Sequence, residues 1–282
     1  MNKISRRKVL TGSAMGIIGL SLPLTSHAAS AFEAPSIAGK PHASYPSIEH
    51  ELVSEVVGKS HSDLDRVKEL VDQRPELARA TIDWGFADFE SAIGAASHVG
   101  RRDIVQYLLG KGARPNIFTY ATLGAYEAVK SMIDYTPGIQ TTYGPHGISL
   151  LAHASAGLRM EKTMTAQEVD NCKKLIDYLE SLGNANGQKF EDIPDEKKPK
   201  YLGDYKYGQA KDEGFSVQLN MRKMLSLGVI GQFGGALYQT GDNEFIYNGA
   251  PSVKISFQFE NNEIKSLTVK EPGQSIVAVK IS

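Results

Sequence analysis

The hydrophobic period of this chain changes once, and that change restricts the fold more than any other feature. Up to residue 187 the apolar residues recur at helical spacing. DLDRVKELVDQ (63–73) puts Leu64, Val67, Leu70 and Val71 on one face. Residues 103–110 do so with Ile104, Val105, Leu108 and Leu109. Residues 125–134 use Ala125, Ala128, Val129, Met132 and Ile133, and residues 166–182 use Val169, Cys172, Leu175, Ile176, Leu179 and Leu182. Thr165 with Glu168 forms a capping box at the last start. Beyond residue 200 the period becomes two: FSVQLNM (215–221), SVKISFQF (252–259), EIKSLTV (263–269) and SIVAVKI (275–281) alternate, with Glu260–Glu263 as a turn. Between them QKFEDIPDEKKPK (188–200) is charged, carries two prolines and has no apolar stripe.

The predicted fold class is therefore α+β and multidomain: an α-helical solenoid followed by a small antiparallel β-barrel or half-barrel. Each helix is short and buries one stripe, so none is stable alone. Stacking helix pairs would bury the stripes continuously. About eight short strands with one apolar face would curl on themselves. GQFGG (231–235) is followed by no helical pattern, so it reads as a strand bend.

Residues 91–116 resemble an ankyrin repeat. Ser91 stands at the turn threonine, Ile93 at the core leucine, Ala96 and Ser97 at the paired small residues, and Gly100 at the inter-helix glycine. Ile104-Val105 and Leu108-Leu109 match the second-helix core; Gly112-Ala113 and Asn116 match the stop and following turn. Asp63–Arg79 resembles the second helix of a preceding repeat, and Ser149–Ser155 with Leu175–Asn186 resembles a later one. The family's Thr-Pro-Leu-His reads Ser91-Ala92-Ile93-Gly94 here and Ser149-Leu150-Leu151-Ala152 later, without proline or histidine. Gly100 to Gly124 spans 24 residues against the ~33 of a full repeat, so that unit has lost its extended hairpin. Three to four degenerate repeats cover residues 51–187. YLGDYKYG (201–208), LYQTGDNEF (237–245) and VKISFQFENNEIKSLTV (253–269) are similar to a lipocalin-like accessory domain.

The amino terminus reads as an address. SRRKVL (5–10) precedes the apolar run Val9–Leu24, and small-residue exits follow at Ser26-His27-Ala28 and Ala29-Ser30-Ala31. The run is shorter than the ~20 residues of a membrane span. The paired arginines resemble the twin-arginine export signal, with Val9 and Thr11 where phenylalanine and lysine are common. The expected organisation is a signal peptide over 1–28, a linker over 29–50, repeats over 51–187, a linker over 188–200 and the β-domain over 201–282. The expected location is periplasmic or secreted, with no stable membrane span after cleavage.

Composition closes off several function classes. Residues 1–28 carry Lys3, Arg6, Arg7 and Lys8 and no acid, so their removal takes the net charge from −1 to −5. Such a chain has no global attraction for nucleic acid or anionic membranes. Cys172 is the sole cysteine, which excludes an intramolecular disulfide; on the apolar side of its helix it is expected to be a small buried hydrophobe. No hydrolase elbow, Ser-x-x-Lys of a hydrolase or His-Glu-x-x-His is present. Seven histidines occur, with His42, His50 and His61 in or near the lead-in, and none stands at ligand spacing with an acid or the cysteine. The expectation is accordingly no metal, no cofactor and no enzyme activity.

What the ankyrin resemblance implies is a concave groove that binds an envelope protein. By position in the repeat, Ala95, His98, Thr119, Thr122 and His153 would line it. The hairpin fingers would add Trp84 and Phe86, with Tyr143 and His146. One alternative is a small-ligand cup in the β-domain lined by Phe215, Leu225, Phe245 and Phe257. Another is an enzyme with its site at the junction of the two parts.

Overall fold

The computed structural model describes residues 42–220, 222–232 and 234–281. The proposed signal peptide and most of the first linker lie outside them. One compact unit runs Ser44–Ser282.

Its first part is a stack of helix pairs: α1 (His50–Lys59) with α2 (Leu64–Gln73), α3 (Ala92–His98) with α4 (Arg102–Gly110), α5 (Ile117–Thr122) with α6 (Tyr126–Tyr135), and α7 (Leu150–Ala156) with α8 (Ala166–Ser181). The four helices expected from apolar spacing appear within a residue or so of their predicted ends. Polar caps fix the starts: Asp63, Ser91 and Ser149 each accept from a backbone amide three residues on. Asn116 and Thr165 form complete capping boxes, the latter with Glu168 as expected. A short hairpin, β1 (Thr81–Asp83) and β2 (Phe89–Ser91), precedes α3. Among the described residues no strand lies between α4 and α5, where the shortened unit was expected to lack its hairpin.

The inner helices α3, α5 and α7 pack in series. Small residues let them approach, and hydroxyls bind them. Thr122 Oγ1 donates to Ser97 O at 2.9 Å, with His153 O 3.3 Å away, and Ser97 Oγ lies 3.4 Å from Thr119 Oγ1. On the outer side the buried Arg102 guanidinium joins three helices, donating to Thr122 O (2.8 Å) and Glu168 Oε1 (2.9 Å). Cys172 is fully buried beside it, as expected, and burial raises its thiol pKa.

The second part is a closed eight-stranded antiparallel barrel. Its strands are β3 (Gly203–Lys206), β4 (Gly214–Leu219), β5 (Leu225–Val229), β6 (Gly235–Gly241), β7 (Glu244–Tyr247), β8 (Ala250–Glu260), β9 (Glu263–Glu271) and β10 (Gln274–Lys280). They pair as a meander, and β10 closes on β3 through Val279–Lys206 and Lys280–Tyr205. The expected turn at Glu260–Glu263 is a two-residue loop with both Asn261 and Asn262 at positive φ, which matches the twist of a hairpin.

An eight-stranded barrel is just wide enough for side chains to fill, and this one is filled. Phe215, Leu225, Phe245 and Phe257 are buried with Tyr201 and Tyr205. Phe257 meets Tyr201 at 4.9 Å and Phe245 at 5.7 Å between ring centroids, both edge-on. The expected ligand cup is corrected by this: its lining residues are core. The segment 188–200 is also pinned rather than free. Ile193 enters the barrel core, and the buried Lys198 donates to Asp192, Asp195 and the Lys223 carbonyl.

The two parts touch along the hairpin and the loop before α7. The Phe86 ring packs on Tyr247 at 4.7 Å. Gly147 sits against Asn248 and Gly249, where a Cβ would come within 2.3 Å of Asn248 Oδ1. Among the described residues no helix is long and apolar enough to cross a membrane.

Candidate metal centre

Four elements converge on one buried carboxylate. Glu90, on β2, is fully buried. Its position follows from strand alternation: Phe89 and Ser91 point one way, Glu90 the other, beside its cross-strand partner Ile82. The hairpin thus turns a charge inward and leaves Phe89 62% exposed. A buried carboxylate needs partners, and three imidazoles and an indole supply them. Trp84 Nε1 donates to Glu90 Oε2 at 2.8 Å. His98 Nε2, at the end of α3, lies 3.0 Å from Oε1. His146 Nε2, in the loop before α7, lies 3.3 Å from Oε1. His61 Nε2, in the turn after α1, lies 3.5 Å from Oε2 and 3.0 Å from His98 Nε2.

One ligand atom from each of His61, Glu90, His98 and His146 lies within 4.8 Å of the others. With metal–nitrogen and metal–oxygen bonds of about 2.0–2.2 Å, a tetrahedral site sets its donors about 3.4 Å apart. The contacts to Glu90 and between His61 and His98, at 3.0 to 3.5 Å, bracket that value, and every pair in the set of four lies within 4.8 Å.

Backing hydrogen bonds decide which nitrogens face inward. His146 Nδ1 donates to Asp88 Oδ2 at 2.7 Å, and its backbone amide donates to Asp88 Oδ1 at 2.8 Å. His61 Nδ1 donates to the Gly58 carbonyl at 3.0 Å. Nδ1 being occupied, Nε2 is the nitrogen left facing the centre, the arrangement that holds metal-binding histidines in orientation. Lone pairs and a carboxylate oxygen at about 3 Å repel one another unless a proton or metal ion lies among them. Glu90 Oε1 accepts no well-aligned hydrogen bond among the described residues, although two imidazole nitrogens are near it.

Burial opposes charge throughout. It works against ionised Glu90, but the close imidazoles of His146 and His98 prevail and hold the carboxyl well below its usual range. Burial also works against charged His146, but Asp88 and Glu90 raise its pKa to about 10. Burial pushes His98 down despite Glu90, and pushes His153, whose Nδ1 is tied to Ser149 O, down to about 4. Metal-free protein should then be most stable near pH 6.5. Above it, His146 loses its proton, and the stability gained from its raised pKa fades toward pH 10. Below it, the unfolded chain protonates imidazoles that the folded state keeps neutral. His153 alone makes folding about 3 kcal/mol less favourable between pH 6.5 and 4, with His98 adding to the same limb. Urea unfolding of chelator-treated protein across this range checks it, and His153→Leu should flatten the acid limb. An unchanged limb would refute the assignment.

The residues expected to bind a partner fall into different places. His98 and His146 join the centre, and Trp84 braces it. Phe86 is packed on the barrel. Ala95, Thr119, Thr122 and His153 are fully buried, so the open groove expected from the repeat pattern is corrected: close stacking of α3, α5 and α7 covers those positions. Tyr143 stays 45% exposed at the junction of helices and barrel. His61 is not part of a loose lead-in; it is held in the turn between α1 and α2.

The donors of the centre come from four elements and no two form a short motif, so residue spacing does not reveal it. The chain matches no protein-family model and no curated protein.

Proposed function

We propose that this chain is an exported, non-enzymatic protein whose ankyrin-like helical stack holds one divalent transition-metal ion between His61, Glu90, His98 and His146. The observation carrying this reading is the convergence of three imidazole Nε2 atoms on the buried Glu90 carboxylate, whose Oε1 lacks an aligned donor. Imidazole and carboxylate together suit zinc. Four protein ligands leave no open position, the pattern of a structural rather than a catalytic site. The ion would clamp the α1–α2 turn, the hairpin, α3 and the loop before α7. Chelator-treated protein titrated with Zn²⁺ should retain one equivalent through gel filtration. Its unfolding should become harder by about 2.7 kcal/mol at a hundredfold excess over Kd. Retention of no zinc would overturn the proposal.

A second reading, binding of an envelope protein, is supported by Phe89 (62% exposed) and Trp84 (36% exposed) on the hairpin. Partner capture from a periplasmic extract should fall with Phe89→Ser. Unchanged capture would remove the hairpin from that surface.

A further inference from the structure

A cleft of about 290 Å³ opens between the helical stack and the barrel, and none of the four residues of the candidate metal centre lines it. Its size is at the small end of ligand pockets, which run from about 300 to 1,000 Å³. Two features of its wall point to one ligand chemistry.

The first is aromatic. Tyr143, Phe190, Tyr238 and Tyr247 all line it. Phe190 and Tyr238 stack at 4.6 Å with 11° between their planes. The hydroxyls of the other two are anchored: Tyr143 Oη accepts from the Gln188 amide at 2.6 Å, and Tyr247 Oη from the Gly235 amide at 2.7 Å. These rings are held in place before any ligand arrives, so little ordering is required on binding. Fixed aromatic faces take planar or sugar rings.

The second is a cation. Arg222, in the turn between β4 and β5, lines the rim and forms no ion pair among the described residues. A guanidinium accepts a carboxylate bidentately.

We propose that this cleft binds a small ring carboxylate, its ring on the aromatic wall and its carboxylate on Arg222. An aromatic acid and a sugar acid share this chemistry, and the test separates them. The proposal does not depend on the metal centre.

Saturation-transfer NMR and calorimetry on the purified protein would use 4-hydroxybenzoate and glucuronate, with phenol and glucose as the neutral counterparts. At least one acid should bind, and its neutral counterpart should bind about tenfold more weakly or worse. Arg222→Gln, an exposed substitution that leaves the core intact, should weaken the acid to the same degree. Tyr238→Ala should abolish the ring signal. Binding of 4-hydroxybenzoate alone assigns an aromatic acid, and of glucuronate alone a sugar acid. Binding of neither acid up to about 10 mM, or acid binding that Arg222→Gln leaves unchanged, would overturn the proposal.

Discussion

Glu90→Gln should weaken divalent-ion binding by at least about 100-fold, because residues merely supporting a metal ligand already cost 10–100-fold when changed. The substitution keeps shape and volume, so the loss reports the carboxylate charge. Glu90 is the sole anion among the four donors; without it, the buried pocket offers three imidazoles and no negative charge of its own, and Asp88 stands behind one of them. In the metal-free protein the same change removes a counter-charge from His146, whose raised pKa depends partly on Glu90. The substituted side chain would still offer its amide oxygen to Trp84 Nε1, so the fold should survive with a loss of about 1–3 kcal/mol. Competition against a chromophoric chelator measures the affinity, and urea unfolding measures the fold. Affinity within about threefold of the parent, in a folded variant, would contradict the assignment of Glu90 as a ligand.

Gly100→Ala should be among the most destabilising single changes in the helical stack. Gly100 sits at φ 75° in the corner between α3 and α4, and a Cβ there would lie 2.0 Å from the Ala156 carbonyl oxygen at the end of α7. The left-handed backbone alone costs an alanine about 1–2 kcal/mol. The collision adds to this because its partner is backbone, which moves only if α7 moves. The total should exceed about 3 kcal/mol. Gly112 gives the control: φ is 85°, yet a Cβ meets nothing within 4 Å. Gly112→Ala should cost only about 1–2 kcal/mol. Denaturant midpoints compare the two directly, and equal losses would mean that α3–α4 and α7 do not pack as closely as described.

The corner glycine was visible as a sequence position, and so were the helices it separates, because an apolar stripe every third or fourth residue admits few other structures. The β-segment was equally plain: eight strands follow from alternation and turns. Barrel closure was not plain, since β10 meets β3 through residues from opposite ends of the domain. The groove expectation failed for a related reason. Repeat position says which residues vary, but the separation of α3, α5 and α7 is set by their side chains in three dimensions. Here Ala95, Ala121 and the Ser97–Thr122 hydrogen bond bring them together.

The metal centre left one trace in the sequence. In Phe89-Glu90-Ser91 the alternation is inverted, with the phenylalanine outward and the carboxylate inward. A strand that buries its charge and exposes its aromatic is working against the hydrophobic effect, and the compensation has to come from elsewhere. It comes from three histidines on three other elements, which only folding brings together.

The central claim is that these four residues hold one ion, and anomalous diffraction at the zinc edge tests it most directly. Crystals of the zinc-loaded protein should show a single strong peak about 2.0–2.2 Å from the Nε2 atoms of His61, His98 and His146 and from a Glu90 carboxylate oxygen. Absence of a peak there in protein shown to retain zinc, or a peak held by other residues, would contradict it.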